Sequence, residues 1–251
     1  MYHSKMSTYK KYLCTSLLII PIFLAGSSAA SAQMFSIGDP EPAQTRTFGT
    51  YSVLGISWEL ASFEHTGGVA SPSELLDFED SILRVRFETP GLDLSLGIGG
   101  GLTGMSNTSY INLNGRLFNQ FVLIGRDKFR LALPIQITTD LKSVRRDESS
   151  FEFQLSSFTF GSGLSSSLRL GNRIDFNLRG TPNYGFSFPQ GNIFGGSLFR
   201  VDGNAYLFIR ELFGRHALAI GYNFDYRRYD IDVDLNDYNF TSHSITIGYA
   251  F

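Results

Sequence analysis

Two histidines and a group of carboxylates are the residues of this chain whose types could perform acid–base chemistry. His65 ends an early strand-like segment, His243 lies near the start of the last one, and Asp230, Asp232 and Asp234 come shortly before it. A histidine held by a carboxylate is the usual arrangement of a general base. If the first and last segments are neighbours in a closed sheet, both histidines lie at one rim. This predicts either a hydrolase site there or an exposed polar rim without catalysis.

The rest of the chain offers little other chemistry. His216 is the remaining histidine after residue 32, and Cys14, the one cysteine, precedes that point. No metal-ligand spacing is present, and the glycines from Gly97 to Gly101 are not followed by the helix that a phosphate cradle requires. We therefore expect no metal, no cofactor and no disulfide.

The first 32 residues have the composition of a secretory signal peptide. Lys10 and Lys11 precede an apolar run from 13 to 24, and a small-residue site, Ala30-Ser31-Ala32, follows it. Cleavage after Ala32 is expected, with a membrane anchor or an artefact of the start site as the alternative. It would lower the 21 basic residues to 18 against 23 acidic ones, a formal charge of −5. This balance argues against a nucleic-acid partner, whose footprint is basic.

After a polar lead-in over 33–47, the pattern of apolar residues has a period of two up to the last residue. Such alternation predicts strands, because successive side chains of a strand point to opposite faces. We therefore divide the chain into a signal peptide (1–32), a flexible periplasmic lead-in (33–47) and a β-barrel (48–251). The candidate strands are about 50–63, 80–88, 91–102, 109–124, 128–140, 151–170, 173–186, 194–210, 215–229 and 238–251.

The connections between these segments alternate between short and long. Outer-membrane barrels have short turns on the periplasmic side and longer loops outside. Ten strands put both termini beside the short turns. This number of strands is therefore consistent with the alternation of short and long connections without adjustment. Eight strands remain the alternative, if 80–88 or part of 151–170 lies outside the wall.

The two faces of the strands differ in a way that favours a barrel over a soluble sheet. One face is apolar over the length of a bilayer crossing, and the other is charged. A membrane barrel turns the apolar face outward and encloses the charges, which must then be paired. Turn lengths suggest Arg86 with Asp93 and Arg169 with Asp175. The predicted lumen charge network comprises Arg84, Arg86, Asp93, Arg116, Arg130, Glu152, Arg169, Asp175, Arg179, Arg200, Asp202 and Asp225.

Three local features qualify this pattern. The apolar phase of 151–170 changes near Ser156-Ser157, which predicts a β-bulge or two short strands. Pro134 predicts a bulge or a local break in the fifth strand, because proline cannot donate to a ladder. Aromatic residues near the strand ends predict interfacial girdles. The outer girdle would hold Tyr110, Phe151, Phe186, Phe188, Tyr226, Tyr229, Tyr238 and Phe240, and the periplasmic one Phe48, Tyr51, Phe87, Phe129, Phe208, Phe213 and Phe251.

The C-terminal segment, 244–251, alternates apolar residues and ends on Tyr249-Ala250-Phe251. It resembles the terminal strand of bacterial outer-membrane barrels, and in architecture the chain resembles the small OmpA-like and OmpX-like barrels. The resemblance implies an integral outer-membrane protein surrounded by lipid, with Tyr249 and Phe251 recognised by the barrel-assembly machinery. Ten strands is also the size of the omptin proteases, but their Asp-x-His pair is absent, as is the His-x-Ser pair of barrel lipid A deacylases.

Three functions are consistent with these features. The first is a structural or surface-interaction barrel, whose loops at 64–79, 141–150 and 230–237 contact lipopolysaccharide, a host surface or a partner protein. The second is a narrow channel for small solutes, and the third a hydrolase at the outer rim. Barrels of about this size are filled by side chains, whereas open pores need 16 or more strands. The first function is therefore favoured, and no enzymatic activity is expected.

Overall fold

The computed structural model of the protein describes residues 49–68, 76–146, 152–189, 195–214, 216–231 and 237–251. The predicted signal peptide and the lead-in over 33–47 lie outside these residues. Parts of the three long loops do so as well.

Ten antiparallel strands form one closed sheet, as the sequence predicted. The sixth strand is interrupted once, at Gly163, and its two parts are named β6a and β6b. The strands are β1 (Val53–His65), β2 (Phe78–Thr89), β3 (Leu92–Gly99), β4 (Thr108–Arg126), β5 (Phe129–Arg146), β6a (Glu152–Ser162), β6b (Leu164–Leu170), β7 (Ile174–Pro189), β8 (Gly196–Phe213), β9 (His216–Ile231) and β10 (Tyr238–Ala250).

The barrel closes between β1 and β10, which pair from Val53 opposite Ala250 to His65 opposite Tyr238. Following the paired residues once around the wall from Val53 leads back to β1 at His65, twelve residues further along. This stagger means that the strands are inclined to the barrel axis, by about 40° for a barrel of this kind. One end, the turn end, carries the short turns, the start of β1 and the end of β10; the other is the loop end.

Alternation of burial along each strand follows the alternation of residue type. In β1 the even-numbered Leu54, Ile56, Trp58 and Leu60 are half exposed on the outer face, while the residues between them are buried. Because the outer face is apolar and the lumen polar, the wall has the pattern of a barrel that crosses lipid. Among the described residues, no helix is long and apolar enough to span a membrane.

The break in the sixth strand has its cause on the neighbouring strand. Gly163 occupies the register position opposite Pro134 of β5, which has no N–H to donate, so only the bond from Gly163 N to Pro134 O (3.3 Å) forms. Both β6a and β6b pair with β5 on one side and β7 on the other, without a change of register. They are therefore one strand, and β5 itself is continuous.

The expected phase change at Ser156-Ser157 does not occur. Phe153 and Leu155 face the lumen and are buried, in the same phase as Ser157 and Thr159. The prediction of a bulge there was wrong because it assumed that apolar residues must face lipid. The loop end of the lumen is itself apolar, so these two side chains pack inside.

The same assumption misplaced several aromatic residues of the predicted girdles. Phe87, Phe186 and Phe251 are exposed on the outer face. Tyr110, Phe208, Tyr229, Tyr238 and Phe240, by contrast, are buried in the lumen. Phe48 and Phe151 lie outside the described residues. The aromatic content of this chain therefore serves the interior as well as the interfaces.

Candidate functional site in the barrel lumen

Charged side chains fill the middle of the lumen and form what we call the ionic belt. Strand alternation brings them to one level from seven of the ten strands. All are buried or nearly so. The ionic belt consists of Glu59, Arg84, Arg86, Asp93, Arg116, Asp140, Arg200, Asp202, Asp225 and Arg227.

Every cation of the ionic belt lies close to a carboxylate. On one side Arg84 Nε lies 2.5 Å from Glu59. Arg116 lies 2.9 Å from Asp202 and 3.7 Å from Asp93, which is also 3.6 Å from Arg86. Such pairing offsets the desolvation that would expel an isolated charge from the interior.

A second group of ion pairs lies closer to the loop end. Arg227 lies 2.6 Å from Asp140 and 2.7 Å from Asp225, and Arg200 donates to both oxygens of Asp225 at 3.0 Å. Arg227 is 1% exposed and therefore has no access to bulk water. Bonds of this kind from guanidinium groups are directional, so they fix the side chains in place as well as neutralising them.

Amide side chains connect the charged groups to one another. Gln136 donates to Asp202 (2.8 Å) and to Asn183 (2.7 Å), and Asn223 accepts from Arg86 while donating to Thr246 (2.8 Å). A void of about 20 Å³ lies among the side chains of the ionic belt. That is room for about one water molecule, not for a continuous file of them.

Apolar and aromatic side chains close the lumen above the ionic belt. This loop-end cluster is made of Ala61, Phe63, Leu76, Ile82, Met105, Tyr110, Val144, Phe153, Leu155, Leu198, Tyr229, Ile231, Tyr238 and Phe240. Phe63 is central to it and stacks on Tyr238 with ring centroids 4.3 Å apart. Rings packed in this way leave little space for solute.

Lys142 lies within the loop-end cluster and is 1% exposed. Its ammonium is 3.5 Å from the ring centroid of Phe240 and 5.1 Å from that of Tyr229. Cation–π contacts stabilise an ammonium that has left water. The side chain of this lysine therefore contributes to the closure of the loop end.

At the turn end the lumen widens into a cavity of about 210 Å³, which we call the vestibule. Tyr51, just before β1, enters it, stacks on Phe208 at 4.0 Å between centroids, and donates to Asp175. Burial, and then the hydrogen bond to the Asp175 carboxylate, raise the pKa of Tyr51 above its usual value, so the phenol stays protonated as a donor. Asp175 also lies 3.2 Å from Arg169.

The residues predicted for the lumen network do not all lie in the ionic belt. Arg84, Arg86, Asp93, Arg116, Arg200, Asp202 and Asp225 are there, whereas Arg169, Asp175, Arg179 and Arg130 lie at the turn end. Arg179 is 3.2 Å from Glu88 and its guanidinium lies 4.8 Å from the Phe118 ring centroid.

The prediction that Glu152 belongs to the lumen charge network was wrong. It lies on the outer face near the loop end, where it accepts from Ser143 at 2.8 Å. The inward phase of Phe153 forces its neighbour outward, so Glu152 takes no part in the lumen network.

Sequence reasoning missed Arg227 and Lys142, two of the most buried side chains of the lumen. Arg227 could have been found from its phase, since it continues the inward series of Asn223 and Asp225. Lys142 was missed because the fifth strand was ended at Asp140, whereas β5 runs on to Arg146.

The histidine pair expected at the outer rim does not form. His65 is opposite Tyr238 in the register, while His243 is opposite Leu60, and it faces outward with Nδ1 2.6 Å from the Tyr222 hydroxyl. Asp230 is exposed, and Asp232 and Asp234 lie outside the described residues. Within the described part of the chain, no group of three or more histidine, cysteine or acidic side chains could hold a metal ion.

No protein-family model and no curated protein matches the chain. Among solved structures it is similar to the outer membrane protease OmpT from Escherichia coli, with 7% identity and a TM-score of 0.35 over 83% of this chain and 98% of that one. The translocator domain of the autotransporter NalP from Neisseria meningitidis has 13% identity and a TM-score of 0.36, covering 83% and 90%. Ail, the attachment invasion locus protein of Yersinia pestis, has 10% identity and a TM-score of 0.25, covering 80% and 99%. Likeness at this level carries no conclusion about what this chain does.

Proposed function

We propose that this protein is a non-conducting barrel of a bacterial outer membrane that acts as a structural or surface-interaction protein through its loops. The observation that carries the proposal is the closure of the lumen at two successive levels. The ionic belt leaves a void of about 20 Å³, and the loop-end cluster closes the path above it. A barrel closed in this way offers partners its loops and its outer face.

The outer-membrane location is supported by the outer face of the wall. Every strand contributes exposed apolar side chains to this face, which favours surrounding lipid, and closed barrels of this kind occur in outer membranes. Export would depend on the signal peptide expected over 1–32. The exposed Tyr249 and Phe251, at the end of β10, would serve as the signal for the barrel-assembly machinery.

The two alternatives receive less support. A narrow channel needs a continuous water path, and the ionic belt leaves room for about one molecule. A rim hydrolase needs a histidine beside a carboxylate, but His243 faces outward in contact with Tyr222. The carboxylate of Asp77 accepts from the backbone N of His65 (2.6 Å) rather than from its ring.

The conductance of the refolded protein in a planar bilayer tests the closed lumen. We expect folded protein, identified by heat-modifiable gel mobility, to give no stable current steps, because both levels must open for ions to pass. A matched variant, Phe63→Ala with Phe240→Ala, should remain silent, since the ionic belt stays intact. Steady steps from the unmodified protein would contradict the proposal and favour the channel.

Exchange of the loops tests the surface role. Residues 69–75, 147–151, 190–194 and 232–236 would be replaced by Gly-Ser segments of equal length. We expect heat-modifiable folding to persist, while co-sedimentation with vesicles containing lipopolysaccharide decreases. Unchanged binding in a correctly folded variant would argue against a role of these loops in binding that surface.

A further inference from the structure

The apolar outer face of the barrel is short where the first strands of the chain lie. On β1 the outward side chains at 54–60 are apolar, and the next outward residue toward the loop end is Ser62. On β2 the apolar stretch is 83–87, and Ser81 follows it in the same direction. A strand inclined by about 40° gains roughly 2.5 Å of height per residue, so these stretches cover only about 10–15 Å.

The two strands on either side of this pair are similar. On β3 the apolar stretch is 92–98, almost the whole of a strand that has 8 residues. On β10 the outward residues are apolar from the turn end up to Ile245, and the next one, His243, is bonded to the Tyr222 hydroxyl. We call these four strands, β10, β1, β2 and β3, the short side of the barrel.

The opposite side has a much taller apolar face. Strand β7 lies five strands from β2 in either direction around the wall. Its outward positions at 174–188 carry apolar or aromatic side chains, glycine or proline, which cover about 35 Å. On β5 and β6 the corresponding stretches are 129–141 and 158–170, interrupted by isolated serine and threonine residues, and each covers about 30 Å.

The uneven height has its cause in the lengths of the strands. Strand β3 begins at Leu92, opposite Leu117 of β4, whereas β4 has 19 residues and continues to Arg126. Beyond the end of β3, Phe121 and Ile124 of β4 are 51% and 42% exposed. The strand registers fix this difference, so it is a permanent feature of the wall.

The short side is too short for a bilayer of ordinary thickness. The apolar band of outer-membrane barrels is about 25 Å tall, which the opposite side covers and the short side does not. Glu64 and Glu79, both exposed, are the second outward residues beyond the apolar stretches of β1 and β2, and full thickness would bring them toward hydrocarbon. Tilting the barrel does not remove the mismatch, because a tilt displaces an apolar stretch without lengthening it.

We propose that the short side thins the surrounding bilayer and selects phospholipids with short acyl chains. A bilayer adapts to a wall shorter than its hydrocarbon by thinning, and the cost grows with the mismatch. Lipids with short chains lower that cost, so they accumulate beside β1 and β2. The proposal rests on the lipid-embedded barrel of the proposed function, but neither on the closed lumen nor on the loops.

Tryptophan quenching tests the proposal, because Trp58, the one tryptophan of the chain, is 51% exposed on the short side. The folded, full-length protein is placed in vesicles that mix a brominated short-chain phosphatidylcholine with an unbrominated long-chain one. Bromine quenches tryptophan on contact, and we expect about threefold enrichment of the short chains beside Trp58. Trp58→Phe with Phe160→Trp moves the probe to the outer face of β6, where we expect the bulk composition. Equal quenching at the two positions would overturn the proposal.

Lengthening the short apolar stretches gives a second readout. Ser62→Leu with Ser81→Leu adds one outward apolar position to β1 and one to β2, and should lower the enrichment beside Trp58 to about the bulk value. Thr139→Leu with Ser156→Leu makes the same kind of change on β5 and β6 and should leave the enrichment as it is. Unchanged enrichment in the first variant would contradict mismatch as the cause.

Folded protein is identified first by its heat-modifiable mobility, so a failure of the barrel assignment is distinguished from a failure of this inference. If the variant with both leucines on the short side does not fold, the comparison of the two tryptophan positions still decides the question.

Discussion

At the scale of single residues, the interior of this barrel depends on charges whose partners come from distant strands. Arg227 is held by Asp225 on its own strand and by Asp140 on β5. A buried ion pair is a weak source of stability compared with an apolar pair, but breaking one leaves an unpaired charge in the interior. The arginines of the ionic belt should therefore be intolerant of single substitution.

We predict that Arg227→Ala lowers the free energy of unfolding by roughly 3–5 kcal/mol, because Asp140 and Asp225 lose a common partner. The adjacent Arg228 is exposed on the outer side of the same strand, and Arg228→Ala should change stability by about 0.5 kcal/mol or less. Urea unfolding in detergent micelles measures both. Similar losses in the two variants would mean that the ion pairs of Arg227 are not what stabilises the lumen.

At the scale of elements, the sixth strand and its two neighbours show how closely the backbones pack. A Cβ on Gly163 would lie 1.9 Å from the carbonyl O of Gly180 on β7. A Cβ on Gly180 would meet no heavy atom within 4 Å, because that position faces the open outer side. The position opposite Pro134 therefore requires glycine, because any side chain at Gly163 would overlap the backbone of β7.

Gly163→Ala should therefore destabilise the barrel by about 2 kcal/mol or more, since the backbone of β7 must move to relieve the overlap. Gly180→Ala, in the adjacent strand, is the matched control and should be tolerated within about 0.5 kcal/mol. The midpoint of the heat-modifiable mobility shift compares them. Equal midpoints would contradict the close approach of β6 and β7.

At the scale of the whole molecule, closure joins the first strand to the last. The backbones of Ser52 and Phe251 exchange two hydrogen bonds, of 3.0 Å and 2.9 Å, just beyond the last pair of β1 and β10. The Phe251 side chain, 40% exposed, takes little part in this closure. Its proposed role in recognition can therefore be separated from the stability of the barrel.

We predict that Phe251→Ala leaves the unfolding midpoint of the refolded protein nearly unchanged while lowering the amount of folded barrel in cells. Backbone closure persists in the variant, but the terminal aromatic that the assembly machinery would recognise is lost. Pulse-chase labelling with gel mobility measures the assembly rate, with Phe87→Ala, an outward aromatic of β2, as the control. Equal assembly of Phe251→Ala and the unmodified chain would remove Phe251 from that role.

The sequence by itself determined the wall of the barrel. A period of two over about 200 residues with alternating short and long connections allows few arrangements other than ten antiparallel strands, and the charged face had to be enclosed if the apolar one met lipid. Ion pairs between sequence-near strands, such as Arg169 with Asp175, could be anticipated because a short turn sets the register.

Only the tertiary structure decided what the lumen contains at each level. The stagger of twelve residues around the barrel determines which side chains share a level, and it depends on all ten strand registers together. No local pattern could therefore bring Arg227 to Asp140, enclose Lys142 in aromatic rings, or turn Phe153 inward and Glu152 outward.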